Sequence, residues 1–263
     1  MDTERVPDTR PVRDRFRGRF EARGRGNPVP TEDIGALFDR IADRYDAMNV
    51  VISGFQEPRW RHRLVRATEL EAGMAAIDVA TGTGKVAASL ADRVGTFGHV
   101  LGVDVSDRMV ARARAEHGDR IELEFVIGDA LDLPVDDGTF DAATIAFGMR
   151  NLPDYRRGFE ELRRAVRPGG RVVCLEIARP RSLIGRLGRI WFERIVPRLG
   201  SLIGQGRAYA YLVESVRGYP TPEEIAAIMQ AAGLVDVTWA SMTFGMVTLH
   251  VGLRPSGPRV VAD

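Results

Sequence analysis

Short apolar segments alternate with amphipathic ones between residues 75 and 177, and this alternation constrains the fold more than any other feature of the sequence. The apolar segments lie at 75–80, 100–105, 121–127, 141–147 and 172–177. Helical patterns at 84–94, 107–117 and 154–166 separate them. Because strands that alternate with helices form a parallel sheet with helices on both faces, the pattern predicts an α/β fold.

The last part of the chain predicts a helix followed by two paired strands. Thr221 is a suitable N-cap, Pro222 suits the first helical position, and Gly233 ends the helical pattern. Apolar segments follow at 235–240 and 246–252. The residues between them are too few for a helical crossover, so the two strands are expected to pair as a hairpin.

The remaining segments define the expected domain limits. Residues 1–30 mix Arg, Asp, Pro and Gly without periodicity, which predicts a disordered, arginine-rich arm. The folded domain is expected over 31–253, with a flexible tail over 254–263. Apolar residues and arginines recur together after residue 178, and we interpret 181–218 as a helical insert that forms a lid over the site.

Composition argues against several classes of protein. The formal net charge of +1 gives no general attraction to nucleic acid. Cys174 is the single cysteine, which is typical of a reducing compartment, and the four histidines lack the spacing of metal ligands. The amino terminus has no apolar signal-peptide core and no apolar segment is long enough to span a bilayer. A cytoplasmic protein without a metal is therefore expected.

Residues 78–85, with the sequence DVATGTGK, have the glycine spacing of a nucleotide-binding loop. A P-loop is excluded, because Val86 occupies the position after the lysine where a hydroxyl group must bind magnesium. Gly82, Gly84 and Ala87 match the dinucleotide pattern, and Asp104 follows at the end of the next predicted strand. Nicotinamide enzymes and S-adenosylmethionine enzymes both need such an acid for the ribose, so these residues leave both classes open.

Three further features distinguish the two classes. Asp78, directly before the glycines, would repel a pyrophosphate but could organise a loop that faces a cationic amino acid. Asp129 and Ala130 follow the third predicted strand, where an adenine edge could be bound. The segment LRRAVRPGGRVVCLEI and the terminal hairpin are typical of a different fold from the nicotinamide enzymes.

These features together resemble the class I S-adenosylmethionine-dependent methyltransferases. The resemblance implies a Rossmann-like, seven-stranded, mostly parallel sheet in the order 3-2-1-4-5-7-6, with strand 7 antiparallel and helices on both faces. It implies S-adenosylmethionine as the cofactor. The cofactor-binding residues that it implies are Asp78, Ala80, Gly82, Thr83, Gly84, Asp104, Asp129 and Ala130.

Other segments resemble a narrower family, the ubiquinone/menaquinone biosynthesis C-methyltransferases, over roughly residues 33–252. They are FDRIADRYDAMN (38–49), PRWR (58–61), IAFGMRNLPD (145–154), YLVESVRGYPTPEEI (211–225) and VTLHVG (247–252). The implied substrate is a prenylated quinol such as demethylmenaquinol. A methyltransferase acting on small natural products, a nicotinamide-dependent oxidoreductase and a non-catalytic cofactor-binding subunit are the alternatives.

The resemblance implies a catalytic group formed by Arg150, Asn151 and Tyr45. Because a guanidinium stays protonated, Arg150 is expected to stabilise a phenolate or to orient a water molecule that removes a proton. Asn151 and Tyr45 are expected to hydrogen-bond the ring oxygens, although Tyr45 also fits a core position of a helix that begins at Thr31. Ala146 stands where this family often has serine, which removes a possible side-chain contact to the cofactor, so we do not assign it to the site.

The implied substrate also predicts where the protein works. Each isoprene unit contributes about 4 kcal/mol to membrane partition, at about 0.8 kcal/mol per carbon, so a long-tailed quinol stays in the bilayer. Transient contact with the membrane surface, peripheral at its inner face, is therefore expected, with the lid and its arginines as the contacting part. The sequence leaves the oligomeric state open, a homodimer included.

Overall fold

A computed structural model describes residue 26, residues 53–178, residue 180 and residues 215–256 of the chain. The strands are β1 (Ala75–Val79), β2 (His99–Asp104), β3 (Leu123–Ile127), β4 (Phe140–Ala146), β5 (Val166–Ile177), β6 (Val235–Met242) and β7 (Val247–Leu253). The helices are α1 (Glu57–Ala67), α2 (Lys85–Val94), α3 (Asp107–His117), α4 (Tyr155–Ala165) and α5 (Pro222–Ala231). Two short 3-10 turns cover Met149–Asn151 and Thr243–Gly245.

The strands form one sheet in the order β3-β2-β1-β4-β5-β7-β6. Neighbouring strands from β3 to β5 are parallel. The last strand, β7, runs antiparallel to both β5 and β6, so the predicted hairpin forms. The predicted α/β class and strand order are confirmed.

Helices cover both faces of the sheet because the central strands are apolar on both sides. On one face, Ile77 and Cys174 pack in a core with α4 and α5. On the other face, Ala76 packs against α2 and α3, and Leu175 packs against α1. Full burial of a side chain the size of leucine contributes about 1.5–3 kcal/mol, so the two cores hold the strand ends in fixed positions.

Capping residues set where the helices begin beside the strand ends. The Ser106 hydroxyl accepts a hydrogen bond from the Met109 amide at 3.1 Å at the start of α3. Thr221 and Glu224 form a reciprocal capping box at the start of α5, where the sequence predicted the N-cap. Each such cap stabilises its helix by about 1 kcal/mol. By contrast, α2 begins at Lys85 with Gly84 of the glycine loop as its N-cap, and no side chain caps it.

Several predictions fall on residues that lie outside the described part of the chain. They include the arm over 1–30, the helix predicted to begin at Thr31 and to carry Tyr45, and most of the lid and tail. Of the lid, residues 215–218 are described and are helical. Among the described helices, none combines the length and the hydropathy that crossing a bilayer requires.

Candidate functional site

A crevice opens at the carboxyl edge of the sheet, beside the ends of β1, β2, β3 and β4. It encloses about 650 Å³ of space between atoms, open solvent at its mouth included. The residues that line it are Ala80, Gly82, Asp104, Val105, Met109, Gly128, Asp129, Ala130, Ala146, Phe147, Gly148, Asn151 and Leu152. Ligands of open α/β sheets bind at this edge, where strand connections diverge to opposite faces.

The glycine loop between β1 and α2 turns sharply beneath this crevice. Ala80, Gly82 and Gly84 have positive φ angles of 54°, 56° and 81°. Glycine adopts this left-handed region without steric cost, which explains two of the three residues, whereas Ala80 is held there under strain. A Cβ atom at Gly84 would lie 2.7 Å from the Phe125 ring, so the loop also packs too closely for a larger residue.

Asp104 joins this loop to the end of β2. One carboxylate oxygen accepts a hydrogen bond from the Gly82 amide at 2.8 Å, and the other accepts from the Ser106 amide at 3.0 Å. The side chain is 8% exposed and lines the crevice. The two backbone donors therefore fix the orientation of an acceptor group that fits the hydroxyls of a ribose.

Asp78 lies beneath the loop, outside the crevice lining, and is 1% exposed. The Thr81 hydroxyl donates to one of its carboxylate oxygens at 2.7 Å, and the Thr144 hydroxyl, on the neighbouring strand β4, donates to the other at 2.6 Å. Burial raises the pKa of Asp78 to about 6, although the two threonine bonds act in the opposite direction. The carboxylate therefore holds β1, the loop and β4 together from behind the site.

Asp129 and Ala130 lie on the opposite wall of the crevice, after β3. The Asp129 carboxylate accepts a hydrogen bond from the Leu131 amide at 2.9 Å, which forms a local turn. Gly128, just before them, lies so close to Pro134 and Val103 that an added Cβ would be 2.9 Å from each. A larger residue than glycine would therefore not fit at this wall, where the sequence predicted contact with an adenine.

The turn after β4 forms the next wall and touches the glycine loop. A Cβ atom at Gly148 would lie 2.5 Å from the Ala80 Cβ, closer than two side-chain carbons approach. Phe147, directly before it, has a positive φ of 56°. The Phe147 ring lies 5.9 Å from the Trp60 ring, and the Trp60 indole donates to the Thr243 hydroxyl at 2.9 Å. The contact between the Phe147 and Trp60 rings thus connects the crevice wall to α1.

Arg150 and Asn151 follow in the same turn, and the structure places them differently. Asn151 lines the crevice, whereas Arg150 does not. The Arg150 guanidinium forms an ion pair with Glu176 at the end of β5, with 2.7 Å between Nη1 and Oε1. Both side chains are almost fully buried, at 6% and 0% exposed. The role of Arg150 in stabilising a phenolate stays a prediction. The structure adds that the Glu176 carboxylate lies beside the Arg150 guanidinium.

The predicted cofactor residues divide into two groups. Ala80, Gly82, Asp104, Asp129 and Ala130 line the crevice. Asp78, Thr83 and Gly84 do not line it and shape the loop from below. Their roles as cofactor ligands stay predictions, and Tyr45 lies outside the described residues.

Sequence reasoning missed other residues of the site. Val105 and Met109 line the crevice directly after Asp104, and their position next to that acid is the signal that could have identified them. Ala146, which we did not expect to contribute, also lines the crevice. Glu176 was missed as well, although a carboxylate inside an apolar strand segment indicates a buried, paired charge.

The residues present fit the expected cofactor, S-adenosylmethionine. Its sugar requires an oriented carboxylate, which Asp104 provides at the crevice wall. Its base requires a mostly apolar slot, and Val105, Met109 and Ala130 line that side. The buried carboxylate of Asp78 supplies negative charge beneath the loop where the sequence predicts the cationic amino-acid part.

Comparison with known proteins gives consistent matches over this region. The model of the ubiE/COQ5 methyltransferase family matches residues 28–254. A demethylmenaquinone methyltransferase from Thermus thermophilus is 44% identical over 222 residues, which cover 83% of this chain and 100% of that protein. A demethylmenaquinone methyltransferase from Bacillus mycoides is 37% identical over 228 residues, which cover 85% of this chain and 96% of that protein.

Solved structures agree on the fold. An S-adenosylmethionine-dependent methyltransferase from Aquifex aeolicus superposes with a TM-score of 0.53 at 19% identity, covering 73% of this chain and 88% of that chain. The methyltransferase solved in complex with the Haloferax volcanii Trm112 methyltransferase activator gives a TM-score of 0.61 at 22% identity, covering 83% of this chain and 97% of that chain.

Proposed function

The chain belongs to the ubiE/COQ5 methyltransferase family and uses S-adenosylmethionine as its methyl donor, and from this premise we propose that it methylates a ring carbon of a prenylated quinol. Demethylmenaquinol is the proposed substrate and menaquinol the product. The observation that carries this proposal is the 37–44% identity to proteins named demethylmenaquinone methyltransferase. Family membership sets aside the nicotinamide-dependent oxidoreductase as an alternative.

The chemistry defines what the protein has to do. S-adenosylmethionine, when bound, supplies an electrophilic methyl group on a positively charged sulfur. Methylation of a ring carbon replaces its hydrogen, with net release of one proton. The ring carbon becomes nucleophilic when the neighbouring hydroxyl loses its proton, so the protein must hold the ring and stabilise a phenolate oxygen.

Crevice residues are assigned to the donor side of this site. Asp104 would hold the ribose hydroxyls, and Asp129 with Ala130 would bind the adenine edge. The glycine loop from Ala80 to Gly84 would enclose the amino-acid part above Asp78. These assignments are supported by the crevice lining and by the hydrogen bonds that orient Asp104.

The acceptor side is assigned to the turn after β4. Asn151 would hydrogen-bond a ring oxygen, together with Tyr45 from the N-terminal region. Arg150, one residue away, would stabilise negative charge on that oxygen through its fixed cation. Support comes from the position of Asn151 in the crevice wall. Arg150 lies in the same turn, with its guanidinium paired to Glu176.

We also propose transient docking on an anionic membrane surface, because the substrate tail stays in the bilayer. Within the described residues, support comes from α1, which exposes Arg59, Arg63 and Arg66. Phe55, just before α1, is 74% exposed, and α1 contacts the site through Trp60. Arginines near anionic headgroups contribute about 1 kcal/mol each, enough for a reversible contact.

The decisive experiment for the function is a methyl-transfer assay with demethylmenaquinol in detergent or vesicles. The product is expected to carry one more methyl group than the substrate, bonded to a ring carbon. Fragmentation mass spectrometry locates that group. The control is a tail-free quinol or a short phenol. Equal turnover of the tail-free compound would favour a natural-product methyltransferase, and methylation on oxygen would contradict the proposal.

Membrane docking is tested separately, by co-sedimentation with phosphatidylglycerol vesicles. Replacing Arg59 and Arg63 with Gln should weaken binding and reduce its salt dependence. The matched control replaces Arg156 and Arg157 with Gln on α4, which covers the other face of the sheet. Equal binding by the two double variants would rule out α1 as the contact surface.

A further inference from the structure

Glu176 is a fully buried carboxylate that is tied to the acceptor side of the site. It lies at the end of β5, on the face of the sheet that packs against α4 and α5. One of its oxygens accepts from Arg150 Nη1 at 2.7 Å and from the Ile177 amide at 2.8 Å. The other accepts from the Arg150 backbone amide at 3.2 Å. Glu176 therefore binds both the side chain and the backbone of Arg150.

These bonds fix a turn, in addition to neutralising a cation. The Arg150 guanidinium also donates to the Phe147 carbonyl, so its side chain folds back over its own turn. Gly148 and Asn151, on either side in the sequence, line the crevice. The Tyr155 hydroxyl contacts the Arg150 carbonyl at 3.5 Å from below. Glu176 thus holds, from the protein interior, the turn whose outer surface is a wall of the site.

Stability alone does not account for a buried ion pair at this position. Removing two charges from water costs several kcal/mol per ion, and well-packed apolar residues often stabilise a fold as well or better. Glu176 lies on the same face of β5 as Cys174, which belongs to an apolar core that includes Met149, Leu152 and Tyr219. What the ion pair provides there, and an apolar pair would not, is directional bonding to a specific backbone amide.

We propose that Glu176 is a positioning residue for methyl transfer, which sets the Asn151 amide against the acceptor ring by clamping the turn Met149–Asn151. This proposal rests on the proposed role of Asn151 on the acceptor side. Glu176 itself touches no reacting atom. Because a misplacement of about 1 Å can cost about a hundredfold in rate, loss of the clamp should appear mainly in turnover.

The test compares Glu176→Gln with Glu122→Gln. Glu122 pairs with Arg120 at the same 2.7 Å, but at the amino end of β3, on the opposite edge of the sheet from the crevice. We expect Glu176→Gln to lower kcat about 10- to 100-fold at saturating cofactor, while the dissociation constant of S-adenosylhomocysteine changes less than about threefold. Glu122→Gln should lower the melting temperature and leave kcat unchanged.

A double-mutant cycle with Asn151→Ala shows whether the effect passes through the turn. If it does, Glu176→Gln should cost little further turnover when Asn151 is already Ala. Equal kcat in the two glutamine variants, fully additive losses in the cycle, or a parallel fall in kcat and cofactor affinity would each overturn the proposal. A normal rate for Asn151→Ala alone would instead refute the proposed acceptor site.

Glu176→Asp covers the case in which the glutamine variant does not fold. It keeps the charge beside Arg150 but shortens the side chain by one methylene, so the backbone bond to the turn is lost or lengthened. We expect a folded protein with kcat lowered about tenfold and cofactor affinity unchanged. Wild-type kcat in this variant would also overturn the proposal, because charge alone would then suffice.

Discussion

The buried carboxylate of Asp78 should make the stability of the unliganded enzyme depend on pH in an unusual direction. Burial raises its pKa to about 6 in the folded state, from an ordinary value of 3.8. The folded protein therefore binds this proton more tightly than the unfolded chain does. The contribution to stability is complete below pH 3.8 and is lost as the pH rises through 6.

The size of the effect follows from the shift. About two pKa units correspond to about 3 kcal/mol, of which about 2 kcal/mol falls between pH 4 and pH 7.5. Asp78→Asn resembles the protonated acid, with an oxygen that still accepts a bond from one of the two threonine hydroxyls. The free energy of unfolding of the variant, relative to wild type, should therefore increase by about 2 kcal/mol over this range.

Urea unfolding of wild type and Asp78→Asn at several pH values measures this difference directly. Every other titrating group is shared by the two proteins, so its contribution cancels. A difference that stays constant from pH 4 to 7.5 would show that Asp78 titrates in its ordinary range. A difference that falls with pH would show that attraction to positive charge, and not burial, dominates its environment.

Substitutions at three other positions test the site and the core. Asp104→Ala should weaken S-adenosylhomocysteine binding by about 1.5–3 kcal/mol for each lost charge-assisted bond, and an unchanged dissociation constant in calorimetry would give Asp104 another role. Arg150→Ala should lower the free energy of unfolding by about 3–5 kcal/mol, since Glu176 is left buried without a counter-charge. Arg150→Ala should also slow single turnover about 100- to 1000-fold in the folded fraction, and Arg150→Lys should recover little of that rate. A near-normal rate in Arg150→Ala would remove Arg150 from the mechanism. Burial lowers the pKa of His250 to about 4, so wild type should lose about 2–3 kcal/mol of stability through this side chain between pH 7.5 and 4.5. His250→Gln should lack this loss, and an identical pH dependence of the two proteins in urea unfolding would contradict the reasoning.

The fold was predictable because its signals are local. Each central strand is a short apolar segment between turn residues, and Thr221 with Pro222 marks a helix start in any context. The bounds differ from the predicted ones by a residue or two, except at β5, which begins at Val166 and not at 172. There the segment RPGG reads as a turn, but the pairing of Val166 with Phe140 continues the strand.

The contacts within the site were not predictable in the same way. Asp78 bonds to Thr144 across 66 residues of sequence, and Arg150 bonds to Glu176 across 26. Such pairs are determined by strand register and by which side of a turn faces the core, and neither is encoded in the spacing of the residues concerned. The sequence identified Arg150 as a candidate, but only the pairing shows that its cation lies beside a carboxylate.

The close approach of Gly148 to Ala80 makes the donor and acceptor sides of the site mechanically dependent on each other. Because Gly148 has no side chain, the Ala80 methyl group packs directly on its backbone, and a displacement of the glycine loop is transmitted to the turn that carries Asn151. If a ligand that orders one segment also restricts the other, each ligand raises the affinity for its counterpart by the same factor. Because this coupling is reciprocal, an effect of the donor on quinol affinity would be matched by an equal effect of the quinol on donor affinity.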